Sequence, residues 1–326
     1  MESIEGSNMR HIVLEAPTFL QVYNDGSIEY LANMPRVPPS LCDPATSVSS
    51  KDILFSINPL LFARLYLPNN NHQKLPILIY FHGSAFCCES AFAQHHHAYC
   101  NIIASQANVL ILSVEYRKAP HHYLPAAYND AWVALQWVAS HANDTNHHVI
   151  NEPWLTNHGD FSKIFIGGDS SGGNIVHNLA MRAGVEPLPN GLKLYGAYMN
   201  HPYFHGLKPV EPEPNEGLEQ SFLNMAWGVV YPPDGIESPM MNPLAPGAPS
   251  LASLGCSKLF ISVAGDDRVL RDRAVLYYEA LRGSGWKGQV ELFEEKGEKH
   301  VYHMFHPHTP NAKKLINHLT HFLTQQ

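Results

Sequence analysis

The stretch "KIFIGGDSSGGNIVHNLAMRAG", residues 163–184, decides how this chain is read. Residues 163–168 form a short apolar run of strand character. From Gly172 onward the sequence reads as a helix. Between the two lies Gly168-Asp169-Ser170-Ser171-Gly172, a G-x-S-x-G pentapeptide. The pentapeptide becomes informative in this setting. A serine on a tight strand-to-helix turn needs neighbours without side chains, and the turn aims its hydroxyl out of the sheet. The helix N-terminus behind it favours developing negative charge. Ser170 is therefore a candidate nucleophile.

A serine hydroxyl attacks well only when a histidine takes its proton and a carboxylate orients that histidine. Where the serine sits on such an elbow, the acid and then the histidine follow it along the chain. "SVAGDDRVLRDRA" (262–274) puts Asp266 and Asp267 just past an expected strand at 258–265. Asp272 falls in the next helix, where an acid near the N-terminus is ordinary. Asp267 is preferred and Asp266 is second. "EEKGEKHVYHMFHP" (294–307) offers His300, His303 and His306. With 21 histidines in the chain, one histidine alone carries little weight. His300 is selected because it comes first after the glycine-containing turn.

Acyl transfer also needs donors aimed at an oxyanion, usually backbone N–H groups. "YFHGSAFC" (80–87) is a turn after the apolar strand 75–81. Gly83 and Ser84 would donate from this side and Ser171 from the other. A serine at 84 removes no backbone donor. If the turn requires positive φ there, it stores about 1–2 kcal/mol of strain.

Around these motifs, apolar strands alternate with helices. Strands are expected at 75–81, 109–116, 163–168, 192–199, 258–265 and 289–295. Helices are expected at 92–107, 126–142, 172–184, 271–285 and 311–323. Strands apolar on both faces imply a mostly parallel central sheet flanked by helices. Residues 19–31 read as a hairpin around Asp25-Gly26. Residues 205–249 break the alternation with prolines and one helix. That helix carries Leu218, Phe222, Met225 and Val229 on one face, and the first three are candidates to line an apolar substrate pocket. The chain reads as one domain, 1–326, with cap elements at about 1–50 and 205–249.

Composition narrows the function. A hydrophobic content of 45% over 326 residues supplies a sizeable core. The net charge of −8 argues against nucleic acid and anionic membranes as partners. No apolar run is long enough to span a bilayer, and the N-terminus lacks a secretory layout. Five cysteines without a CxxC pair suit a reduced, cytoplasmic protein. His95-His96-His97 is a weak metal candidate, because consecutive helical residues point apart and no other Cys/His spacing completes a site. No phosphate-binding loop or dinucleotide fingerprint is present.

Taken together, "HGSAF", "YRKAPHHYLPAAYND", "GGDSSGGN", "HPYF", "DDRVLRDRAVLYYEALRGSGWKG" and "KHVYH" resemble plant carboxylesterases of the hormone-sensitive-lipase type. Within them the likeness is to the 2-hydroxyisoflavanone dehydratase-like members. It runs from about Phe19 to the C-terminus. The resemblance implies an α/β-hydrolase fold with a cap built from the N-terminal segment and an insertion. It implies the triad Ser170, Asp267 and His300 and an oxyanion hole at Gly83, Ser84 and Ser171. It implies no metal and no organic cofactor. The substrate would be a small molecule, an apolar or aromatic ester or a plant specialised metabolite. Relatives of this kind also include dehydratases, cyclases and hormone receptors, and the receptors have lost the histidine that His300 retains here. Ser84-Ala85 stands where glycines are usual, Lys118 and His121 depart from a "YRLAPE" pattern, and the loop after Asp267 is one residue longer than in many relatives. The first expectation is a serine carboxylesterase. The alternative is a lyase or cyclase on the same scaffold.

Overall fold

The computed structural model describes residues 9–16, 18–32, 34–69, 73–142, 151–206, 210, 218–230 and 237–325, without the side chains of 218–223. An N-terminal antiparallel sheet contains β1 (Ile12–Ala16), β2 (Leu20–Tyr23) and β3 (Ile28–Tyr30). Gly26, at φ +80°, turns the chain between β2 and β3. The main chain then supplies β4 (Val48–Ile57), β5 (Leu60–Pro68) and β6 (Leu75–Phe81). From there strands and helices alternate: α1 (Gln94–Ala107), β7 (Leu110–Glu115), α2 (Ala126–Ser140), α3 (Pro153–His158), β8 (Gly159–Asp169), α4 (Ser171–Ala183) and β9 (Leu194–Asn200). After α5 (Leu218–Val230) come β10 (Cys256–Ala264), α6 (Arg271–Gly283), β11 (Gln289–Glu295), α7 (Tyr302–Phe305) and α8 (Pro310–Thr324).

The central sheet has eight strands in the order β11-β10-β9-β8-β6-β7-β5-β4. From β7 through β11 every neighbouring pair is parallel, and the β5–β7 and β4–β5 pairs are antiparallel. The expected strands and helices are present within a few residues of their predicted ends. The pleat divides the core. Ile77, Ile79 and Phe81 pack on the side of α2, α4 and α6, with Leu135, Ile175 and Tyr277. Leu78 and Tyr80 face the other side, against α1 and α8, with Ile103, Leu315 and Leu319. Both faces of β6 are dry, and the run "LPILIYF" is apolar throughout for that reason.

Two parts of the reading need correction. The long hairpin β4–β5 has no counterpart in the sequence reading, which begins its alternation at 75. β4 lies at the sheet edge, where "VSSKDILFSI" can mix polar and apolar residues, and β5 lies between it and β7. Their turn, Asn58-Pro59, is not one of the glycine pairs that mark a hairpin. The second concerns α5. Its buried side chains include Ala226, Trp227, Val229 and Val230, whereas Met225 is 40% exposed. Trp227 approaches Phe86, with ring centroids 6.4 Å apart, so the large aromatic faces inward and Met225 turns out. The side chains of Leu218 and Phe222 lie outside the described residues. Helix α5 packs on β1 of the N-terminal sheet.

The depth of β6 gives a direct test. Ile79→Ala should lower unfolding free energy by ~2–5 kcal/mol in guanidinium titration. Leu41→Ala, at a side chain 94% exposed, should change it by less than about 0.5 kcal/mol.

Candidate active site

The motifs converge at the carboxyl ends of the parallel strands, where open α/β sheets bind ligands. Phe81 ends β6 just before Gly83 and Ser84. Asp169 ends β8 just before Ser170. The loops after β10 and β11 carry Asp267 and His300.

The elbow is strained and held. Ser170 has φ +55° and ψ −118°, outside the ordinary regions for a residue with a side chain. Its N–H donates to Asn200 O at 2.8 Å, and its carbonyl accepts from Tyr203 N–H at 2.9 Å and Asn174 N–H at 3.1 Å. Glycine at 172 is required by approach: a Cβ there would lie 2.0 Å from Phe81 O, in the backbone of β6.

His300 Nε2 lies 2.9 Å from Ser170 Oγ, and His300 Nδ1 lies 2.7 Å from Asp267 Oδ2. Among the three acids weighed from the sequence, Asp267 reaches the imidazole. Asp266 lines the neighbouring cavity. Asp272 sits in the first turn of α6 and pairs with Arg271. His303 is fully buried, with Nε2 2.8 Å from Asp169 Oδ1, and His306 is exposed.

The turn after β6 has an uncommon backbone. Ser84, Ala85 and Phe86 have φ of +88°, +52° and +61° in succession. Ser84 therefore occupies the region in which the sequence reading expects strain. Several contacts enforce the shape. His82 Nδ1–H donates to Gly83 O at 2.8 Å, and Tyr116 Oη donates to His82 O at 2.9 Å while its ring stacks on the imidazole. Burial lowers the His82 pKa to about 3, so the ring stays neutral. Phe86 N–H donates to Ser171 Oγ at 3.3 Å, tying the turn to the elbow. Gly83 packs so closely on the elbow that a Cβ there would meet Asp169 O at 2.9 Å.

Two cavities flank Ser170. The larger, about 320 Å³, is lined by Phe19, Ala85, Tyr203, Val269 and Leu270, together with the Asp267–His300 side of the site. The smaller, about 220 Å³, lies toward Ser84, Glu89, His95, His96, Met304 and Phe305. Met225 is not among the described residues lining either one.

Sequence reasoning missed Glu89 and Asp169. A lone carboxylate inside the apolar run "SAFCCESAF" was the available signal for Glu89. Burial raises the Glu89 pKa to about 7, with Lys118 pulling the other way. Among the described residues, two groups bring three metal-type ligands together: Glu89, His95 and His96, and His201, Asp267 and His300. Adjacent helical histidines thus meet at one corner, with ring centroids 4.0 Å apart. His97 turns away toward Arg64 and Tyr66.

Comparison with known proteins gives the following. A family described by the alpha/beta hydrolase fold matches residues 78–304. A 2-hydroxyisoflavanone dehydratase of Glycyrrhiza echinata is 52% identical over 325 residues, covering 98% of this chain and 99% of the relative. A probable carboxylesterase 2 of Arabidopsis thaliana is 40% identical, covering 98% of each. Esterase LipW from Mycobacterium marinum superposes with a TM-score of 0.70 at 22% identity, covering 86% of this chain and 82% of the other. At that identity the likeness is one of fold.

Two outcomes follow from the local chemistry. Glu89 binds its proton more tightly when folded than its ordinary value of 4.5, so folding is penalised as pH rises from about 4.5 to 7 and fully above it. Glu89→Gln should raise the melting temperature by roughly 2 °C at pH 8, with the gain vanishing below pH 4.5. Ser84→Gly, which releases the strain at φ +88°, should raise it by ~2 °C at any pH. Differential scanning fluorimetry across pH reads both.

Proposed function

The chain belongs to the alpha/beta hydrolase family, and from that premise we propose that it is a carboxylesterase acting through Ser170. The observation that carries this reading is the unbroken relay of 2.9 Å and 2.7 Å from Ser170 Oγ through His300 to Asp267. Asp267 accepts from Nδ1–H, which leaves the Nε2 lone pair facing the hydroxyl. His300 takes the Ser170 proton as Oγ attacks the ester carbonyl. The tetrahedral oxyanion is held by the backbone N–H groups of Gly83, Ser84 and Ser171. His300 then protonates the departing alkoxide, and water releases the acid by the same steps in reverse. The apolar cavity at Phe19, Tyr203 and Leu270 suits a small acyl or aryl group.

A second reading is favoured by the 52% identity to a protein named for dehydration of a 2-hydroxyisoflavanone. On this scaffold the same N–H groups would polarise a ketone. His300 would take the proton from the carbon beside that ketone and pass it to the neighbouring hydroxyl, which would leave as water.

Hydrolysis of p-nitrophenyl butyrate separates the two. Activity should fall by more than about 10³-fold in Ser170→Ala. Unchanged turnover in that variant would overturn the nucleophile assignment. A folded wild type that ignores the ester but dehydrates a 2-hydroxyisoflavanone, with loss in His300→Ala, would select the second reading.

A further inference from the structure

The corner formed by Glu89, His95 and His96 lies beside the catalytic relay and takes no part in it. Two features of the sequence count against a metal at the histidine run: neighbouring helical residues point apart, and no spacing completes the set. The structure removes both. His95 and His96 stand in the first turn of α1 with ring centroids 4.0 Å apart, and Glu89 brings a carboxylate against them. The side chains of Glu89, His95 and His96 are 9%, 10% and 5% exposed. Glu89 Oε2 and His95 Nδ1 are buried without a hydrogen-bond partner among the described residues, as is Ser84 Oγ in the same cavity. Buried polar atoms are nearly always satisfied, so orphans gathered at one corner point to a missing partner. Lys118, the cation acting on Glu89, is itself paired with Glu115 Oε1 at 2.7 Å.

The three groups lie close enough to share one ion. Glu89 Oε2 is 3.1 Å from His95 Nε2 and 4.0 Å from His96 Nε2, and one ligand atom from each residue lies within 4.8 Å of the others. Around a tetrahedral Zn²⁺, with bonds of about 2.0–2.2 Å, neighbouring ligand atoms stand roughly 3.3–3.5 Å apart. The 3.1 Å contact is not a hydrogen bond, and groups that point at a shared centre do not point at each other. His96 is also oriented from behind. Tyr80 Oη gives its only proton to Asp169 Oδ2 at 2.6 Å, so its 3.1 Å contact with His96 runs from Nδ1–H to the phenol oxygen. This fixes the tautomer and leaves the lone pair on Nε2, the atom that faces Glu89. Metal-bound imidazoles are held by outer oxygen partners in this way. Burial keeps a proton on the Glu89 carboxyl up to about pH 7, and a cation that binds there displaces it.

We propose that Glu89, His95 and His96 form a binding site for a divalent cation of the zinc class. Two imidazoles and one carboxylate suit Zn²⁺ better than Mg²⁺ or Ca²⁺, which take oxygen ligands. Three protein ligands leave a fourth position open to the cavity of about 220 Å³, for a water or for an oxygen of a molecule held beside Ser84 and Ser170. The site goes beyond the esterase reading and does not depend on it.

Cobalt binding tests it without turnover. Chelator-treated protein at pH 8 is titrated with Co²⁺ alone, followed by visible absorption, and Zn²⁺ is then added as competitor. One equivalent should bind with the strong absorption of a four-coordinate ion, and Zn²⁺ should displace it. In each of Glu89→Gln, His95→Gln and His96→Gln the affinity should fall by more than the ~10–100-fold that loss of an outer partner costs. Three separate substitutions keep the test decisive if one variant does not fold. His300→Ala should bind as the wild type does. A wild type that takes up no cation, or binding that survives all three substitutions, would overturn the proposal. So would binding that is lost in His300→Ala and kept in His95→Gln, which puts the ion at His201, Asp267 and His300 instead. Ester hydrolysis is a separate result, read on p-nitrophenyl butyrate, and its failure leaves the titration interpretable.

Discussion

The site is organised around one buried carboxylate. Asp169 is 1% exposed and ends the strand that leads into Ser170. It accepts from Tyr80 Oη at 2.6 Å, Asn200 Nδ2 at 3.0 Å and His303 Nε2 at 2.8 Å. Those partners come from β6, β9 and α7, so one side chain joins three separate parts of the chain directly behind Ser170. A charge this deep is tolerated only with such partners, and removing one leaves the remaining charge uncompensated. The same hub reaches further. Asn200 Oδ1 accepts from Ser262 on β10, and Tyr80 receives His96 from α1. The elbow and the small cavity beyond it are therefore parts of one polar network inside an otherwise apolar sheet.

Much of this was legible in the sequence because the central strands are dry on both faces. "LPILIYF" and "KIFIGGD" admit few polar residues, so their runs stand out and their order along the chain sets the positions of Ser170, Asp267 and His300. The hairpin at 48–68 escaped because its outer strand β4 lies at the sheet edge, mixes polar with apolar residues and is joined to β5 by a turn without glycine. The inward turn of Trp227 and the outward turn of Met225 escaped for another reason. Periodicity fixes a helix's stripe only within about one residue, and packing chooses between neighbouring stripes. Glu89 and Asp169 were hidden because their importance lies in partners distant in sequence. Tyr80 and His303 stand 89 and 134 positions from Asp169.

The turn at Ser84, Ala85 and Phe86 shows how a backbone can be shaped without glycine. Ala85 and Phe86 are buried, and Phe86 sits among Tyr128, Tyr203 and Trp227. Packing of the aromatic ring, with the contacts of His82 and Tyr116, holds three residues in the left-handed region against their own preference.

That arrangement has a consequence in conformational entropy. A glycine-rich turn is shaped partly by what it is allowed to do, and it samples many states in the unfolded chain and some in the empty site. Residues with side chains sample fewer in both. That restriction does not favour this shape, since φ is positive at 84, 85 and 86, so the packing of Phe86 and the contacts of His82 and Tyr116 are what set the amides of the turn. The free energy of binding is then not spent on ordering the turn, and remains available to discriminate between one substrate and another.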